Sequence, residues 1–304
     1  MLRLLFYEMS EEDLDRQSRS IFGDSSILIE YLLRGYRVCL WWSLFPSIYA
    51  TSAVIAASLS LSAFSLEVVC IVFCVTFSIY NLNNIYDESE DQVNAPQKAV
   101  FVRDHKRVIG SLILVAYLIG LGVSFLGGPY APVVTLIPLL AGIIYSIDLI
   151  RAKDIMVLNT TIVSAALAVT VVGLPLAFQH RFPVVPALLL FVCFLLKFSI
   201  TVELCNIPDI KGDRIAGVST LPVVFGVRRT KTILYCLETV AFVLVLISIS
   251  YTSVPMGVLF VFAPAALYSF GSIYVTEQDP SISKPSVYGD FQFFLMGLIA
   301  LAVL

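Results

Sequence analysis

The sequence predicts an all-α, polytopic membrane protein, a bundle of about nine transmembrane helices. Three observations lead there. Of the 304 residues, 59% are hydrophobic and only 13% are charged, and mean hydropathy is +0.92, more apolar side chain than a water-soluble fold buries. The apolar residues also come in runs of about twenty, the length of helix that crosses a hydrocarbon core. Finally, nothing alternates apolar and polar residues over short segments, as the strands of a transmembrane barrel do. Lipid offers no partner to a backbone N–H or C=O, so helices are what remains.

Taken in order, residues 1–37 are mixed in charge and include SEEDLDRQSRS. They lack the apolar core and small-residue cleavage site of a signal peptide and read as a cytosolic lead-in. Apolar spans are expected at 38–62, 66–86, 108–127, 130–149, 155–179, 183–206, 231–251, 254–275 and 288–304, by the window logic of hydropathy. The basic residues check this layout, because Lys and Arg near spans accumulate on the cytoplasmic side. With the N-terminus inside, the inner segments hold Arg34, Arg37, Lys98, Arg103, Arg151, Lys153, Lys211, Arg214, Arg228 and Lys284 among others, while the outer loops hold only Arg181. One misplaced span would invert every later loop, so the asymmetry supports the count and the orientation together.

Several function classes recede at this level. A net charge of −3, without a basic stripe interleaved with aromatics, gives no sign of a nucleic-acid partner. The six cysteines form no C-x-x-C pair and fall in or beside spans, where a free thiol packs as a small hydrophobe. His105 and His180 lie in loops on opposite sides, so neither a histidine metal site nor a Cys–His nucleophile is expected.

The chemistry concentrates in two stretches. From Tyr80 the chain reads YNLNNIYDESEDQVNAPQK, directly after an apolar run. Asn83, Asp87 and Asp91 are spaced by four, and on a continuing helix each such step turns the side chain by only about 40°, so the three share one face. Carboxylates at a helix C-terminus oppose the macrodipole and repel one another, which calls for a compensating cation. A solvated acidic helix end would explain one such cluster. A second cluster follows the sixth span, in VELCNIPDIKGDRIAGVSTLPVVFG, where Asn206 precedes Asp209 and Asp213, again spaced by four. Four helices separate the two, so both emerge at the same membrane face. Two facing rows of oxygen ligands without Cys or His suit a hard cation such as Mg2+, which binds through a few carboxylates plus substrate phosphates.

N-x-x-x-D-x-x-x-D at Asn83, Asp87 and Asp91, D-x-x-x-D at Asp209 and Asp213, and G-x-x-T-L-P-V-x-x-G from Gly217 to Gly226 resemble the UbiA superfamily of intramembrane prenyltransferases. YSIDLIRAKDIMVLN looks like that family's tyrosine and basic segment, with Tyr145, Lys153 and Asn159 at the corresponding places. NAPQK resembles its N-x-P-x-R, with Lys98 replacing the arginine. The resemblance implies a UbiA-like domain over residues 38–304, integral to the membrane, with its active site toward the cytoplasmic face. It implies that a prenyl diphosphate lies between the acidic rows, bridged by Mg2+ held by Asn83, Asp87, Asp91, Asn206, Asp209 and Asp213. Lys98, Lys153, Tyr145 and Asn159 would contact the diphosphate, and the four aspartates would serve catalysis. An allylic cation formed there would alkylate a hydrophobic acceptor, aromatic or lipid, in a cavity that excludes water.

Two charges lie outside those motifs. Lys197 falls inside the sixth span, where a charge usually faces a partner or cavity; it lies only about two turns from the cytosolic end, so snorkelling to the surface is an equally good reading. Glu203 stands about one turn before Asn206, as a support for it or as an interfacial charge. The first span departs from the family pattern: YRVCLWWSLFPS keeps a basic residue at Arg37, then turns bulky and apolar at Trp41 and Trp42. That departure disfavours a small aromatic carboxylate as acceptor, since such a group needs a paired cation in a dry site. A membrane terpene cyclase of the same fold, needing no acceptor, is the nearest alternative. A transporter or lipid-binding membrane protein is the alternative from another class, although transporters place polar groups at broken midplane helices rather than at one surface.

Overall fold

The computed structural model describes residue 35 and residues 39–88, 91–92, 95–146, 155–179, 183–277 and 289–304. The described residues are helical throughout, without a strand. Ten helices follow in order: α1 Leu44–Ser60, α2 Leu66–Tyr86, α3 Pro96–Ser124, α4 Tyr130–Ser146, α5 Met156–Ala168, α6 Leu174–Phe178, α7 Val184–Ala216, α8 Leu221–Tyr251, α9 Val258–Val275 and α10 Phe291–Val303. A π-helical turn, Val169–Gly173, joins α5 to α6 into one interrupted rod.

Six segments are long and apolar enough to cross a membrane, which makes the chain an integral, multi-pass membrane protein. Three further apolar helices, Leu44–Ser60, Tyr130–Ile144 and Phe291–Val303, are shorter than that. They fall on three of the nine segments expected to span. Two helices start well ahead of their apolar windows. α3 begins at Pro96 rather than near 108, with proline in the first turn, where its missing N–H costs nothing. α8 begins at Leu221 rather than 231, again with proline in its first turn and Thr220 before it in extended conformation.

Packing order builds the cavity. α1 packs on α2, α2 on α4, α4 on α5, α5 on α7, α7 on α8, α8 on α9, α9 on α10, and α10 returns to α1. The helices therefore close a ring, and α3 lies outside it against α2 and α4. Outward-facing residues such as Leu114, Leu118 and Leu267 are exposed, as expected where lipid is the solvent. The closing contact is intimate: a Cβ on Gly297 of α10 would come within 2.7 Å of the Ser52 Cβ and carbonyl oxygen on α1. Small residues let helices approach this closely, and in lipid such packing replaces the missing hydrophobic drive. Gly173 likewise lies against Val134, where an added Cβ would sit 3.3 Å away.

The ring encloses a cavity of about 490 Å³. Its walls are mostly apolar, with Val75 and Ile79 from α2, Pro138 and Gly142 from α4, and Ile162 and Ala166 from α5. Each of these helices is apolar on the side facing lipid and on the side facing the cavity, so sequence periodicity alone does not reveal which face is which.

Candidate active site

The first acidic motif begins inside α2 and continues past its end. Regular α-helix stops at Tyr86, yet the Asp87 N–H donates to the Asn83 carbonyl at 2.8 Å, that of Asp91 to Asp87 at 2.8 Å, and that of Ala95 to Asp91 at 2.7 Å. This ladder of four-residue steps holds Asn83, Asp87 and Asp91 one above another, as their spacing predicts. Asn83 Nδ2 donates to Asp87 Oδ2 at 2.5 Å, which turns the amide toward the carboxylate. Lys98, in the first turn of α3, reaches back to Asp91 with an Nζ–Oδ2 distance of 2.7 Å. Both side chains are largely but not wholly covered, at 25% and 16% exposure, so the pair stays accessible to a ligand.

The second motif ends α7. Asn206 lines the cavity and donates through Nδ2 to Glu203 Oε2 at 3.3 Å, while Thr160 on α5 donates to Glu203 Oε1. Glu203 is fully buried, so it is a support that orients Asn206 and ties α7 to α5 rather than an interfacial charge. Asp209 lies close enough to Asp91 and Lys98 to interact electrostatically with both. The two acidic rows therefore meet across the mouth of the cavity. Asp213 is placed by the glycine-rich motif that follows it. Gly217 adopts φ 76°, a left-handed position open to glycine at little cost, and the Val218 N–H then closes on the Asp213 carbonyl at 2.9 Å. Thr220 Oγ1 donates to Asp213 Oδ2 at 3.3 Å. Gly226 takes φ 76°, ψ 162° and kinks α8 after its first turns, which swings the rest of the helix back alongside α7.

Asn83, Lys98 and Asn206 line one cavity, Lys98 pairs with Asp91, and Asp209 lies within electrostatic range of both. Asn159 is buried on α5. The Tyr145 side chain, and Lys153 with Arg37 and Arg151, lie outside the described residues. Among the described residues no three carboxylates, thiols or imidazoles converge closely enough to hold an ion alone. Mg2+ keeps several waters and binds through one or two carboxylates together with substrate phosphates. The all-oxygen donor set fits it.

A third polar group lies deep in the bundle around Lys197, and its partners Glu238, Gln292 and Ser269 were not named from the sequence. Lys197 is 1% exposed and does not snorkel. Its Nζ pairs with Glu238 on α8 at 2.5 Å and donates to Gln292 Oε1 on α10 at 3.0 Å, while Ser269 on α9 donates to the other Glu238 oxygen at 2.8 Å. A carboxylate inside the apolar run YCLETVAFV was the available signal, since a buried charge at membrane depth demands a partner.

Comparison with known proteins places this architecture. The chain is 26% identical over 220 residues to the chloroplastic protein named probable homogentisate phytyltransferase 2 of Oryza sativa subsp. japonica, covering 68% of this chain and 52% of that one. It is 31% identical over 172 residues to a digeranylgeranylglyceryl phosphate synthase of Sulfurisphaera tokodaii, covering 54% and 60%. The chain thus spans roughly half to three-fifths of the length of these relatives. A solved UbiA homologue from Archaeoglobus fulgidus, bound to GPP and Mg2+, superposes with a TM-score of 0.60 at 16% identity, over 88% of this chain and 96% of that one. The model of the UbiA prenyltransferase family matches residues 43–298, and by that match the chain belongs to the UbiA prenyltransferase family.

Proposed function

We propose that this chain transfers an isoprenyl group from a prenyl diphosphate to a hydrophobic acceptor within the membrane, with Mg2+ as cofactor. The observation that carries the reading is the meeting of Asp91, Lys98 and Asp209 at the mouth of an apolar cavity. The S. tokodaii relative's name and the GPP and Mg2+ of the A. fulgidus structure support the donor and the ion.

Asn83, Asp87 and Asp91 from one side and Asn206, Asp209 and Asp213 from the other would hold Mg2+, which, when bound, supplies positive charge against the diphosphate. Lys98 exchanges its ion pair with Asp91 for a phosphate oxygen as the donor enters. Lys153, Tyr145 and Asn159 contact the diphosphate by their place in the motif. The prenyl tail extends into the cavity among α2, α4 and α5. When the allylic C–O bond breaks, its electron pair leaves on the diphosphate. The dry walls keep water from the cation until the acceptor attacks it and loses a proton. Both acidic rows face the cytosol in this reading, with nine crossings and the N-terminus inside.

The test is diphosphate release from geranyl, farnesyl and geranylgeranyl diphosphates by the purified protein. Release that requires Mg2+ and stops on chelation is expected, and a carrier would show none. Hydrocarbon or alcohol products formed without an acceptor would reassign the site to cyclisation. Efficient prenylation of 4-hydroxybenzoate would overturn the expectation that a small aromatic carboxylate is excluded. Ser89→Cys and Lys211→Cys should label from the same side of sealed vesicles, and opposite labelling would break the topology.

A further inference from the structure

Asp290 belongs to neither acidic motif. It stands in the Gly289–Asp290 turn ahead of α10 and lines the main cavity. It also lines a recess of about 20 Å³, room for roughly one water. Pro46, Tyr80, Leu167, Thr201 and Val202 border both spaces with it. Among the described residues its carboxylate accepts no hydrogen bond and forms no ion pair. Glu203 and Glu238 are fully buried and each is met by two donors, whereas Asp290 is partly exposed to the cavity.

The turn is nonetheless held firmly. Gln292 Nε2 donates to the Gly289 carbonyl at 3.0 Å and to Thr201 Oγ1 at 3.2 Å, and its Oε1 accepts from Lys197. The buried network of Lys197, Glu238 and Gln292 therefore anchors the backbone that presents Asp290. Asp290 and Asp209 both interact electrostatically with Cys205, which puts Asp290 beside the end of the cavity where the diphosphate would enter.

A carboxylate set in an apolar wall without a donor is costly, and the cavity leaves its occupant to supply one. Resting on the prenyltransferase reading, we propose that Asp290 binds the hydroxyl of a neutral, hydrophobic acceptor and takes its proton. The acceptor O–H donates to Asp290. As the allylic C–O bond breaks and its electron pair leaves on the diphosphate, the acceptor oxygen forms the new C–O bond and its proton passes to the Asp290 carboxylate. Asp290 returns that proton to water after product leaves. A carboxylate-bearing acceptor is repelled by the same group, and a protonated amine, though attracted, has no lone pair with which to attack.

The test is a binding preference that needs no turnover. Fluorescence titration of purified protein with 1-naphthol and with 1-methoxynaphthalene, which lacks only the donor proton, gives the hydroxyl preference as a ratio of dissociation constants. The preference should fall by about tenfold or more in Asp290→Leu, the scale of a hydrogen bond to a charged group. If that variant fails to fold, Asp290→Asn, which keeps size and an acceptor oxygen but no charge, should lose about threefold or more of the preference. A preference unchanged within twofold in the folded variant, or absent from the parent, overturns the proposal. Diphosphate release is scored separately, so failure of the transferase reading and failure of this assignment appear as different results.

Discussion

One helix carries two kinds of charge that behave in opposite ways. Lys197 and Asp209 lie on α7 about 18 Å apart along its axis at 1.5 Å per residue. Lys197 is sealed, with its ammonium satisfied by Glu238 and Gln292 from two neighbouring helices. Asp209 faces Asp91, another carboxylate, with one lysine between the rows. The deep group satisfies itself. Among the described residues the mouth keeps an excess of carboxylates over paired cations, the feature on which the proposed site rests, while the deep group is a joint between helices.

Breaking the joint should have the largest effect. Glu238→Ala leaves Lys197 buried and unpaired, and about 3 to 5 kcal/mol of stability should be lost, read as a collapse of the folded fraction in detergent by size-exclusion and thermal unfolding. Adding Lys197→Met to that variant should restore much of the loss, and no restoration would mean that the pair is not the cause. Opening the mouth should act on rate instead. Asp87→Asn and Asp209→Asn should each lower turnover at least about a hundredfold, about 2.7 kcal/mol of barrier, with the melting temperature unchanged or raised. Near-normal turnover in either would separate that row from the chemistry. Gly226→Ala forces a side chain into a left-handed position and should cost about 1 to 2 kcal/mol, measured by thermal unfolding. An unchanged melting temperature would show that the kink at Gly226 is dispensable. The smallest effect is expected from Thr220→Val, which removes a donor from Asp213 and should lower stability by about 1 kcal/mol. A full loss of turnover there would mean that Thr220 touches substrate.

The mouth was legible in the sequence because it is written in local periodicity. Steps of four put Asn83, Asp87 and Asp91 on one face wherever the backbone keeps its turn, and the hydrogen-bond ladder through Asp87 and Asp91 continues beyond the end of α2. The apolar stretches located each helix for the same reason. Where a helix extends into charged sequence, as α3 does from Pro96 through Arg103 and Lys106, a hydropathy window ends too early. The joint was not legible, because Lys197 meets Glu238 and Gln292 through packing across 41 and 95 residues of chain. No spacing rule reaches that far. Of the two readings of a lone lysine two turns from the surface, the buried partner holds and snorkelling fails, because Glu238 meets the ammonium at depth.

The contact between Gly297 and Ser52 sets the timing of assembly on the ribosome. α1 and α10 are translated far apart, and segments fold as they emerge. Until Phe291 and the residues after it are made, the ring has no helix to close it between α1 and α9. The same late segment brings Asp290 and Gln292, so Lys197 waits for one of its two partners while 95 further residues are added. A nascent chain thus has both acidic motifs before its cavity is enclosed.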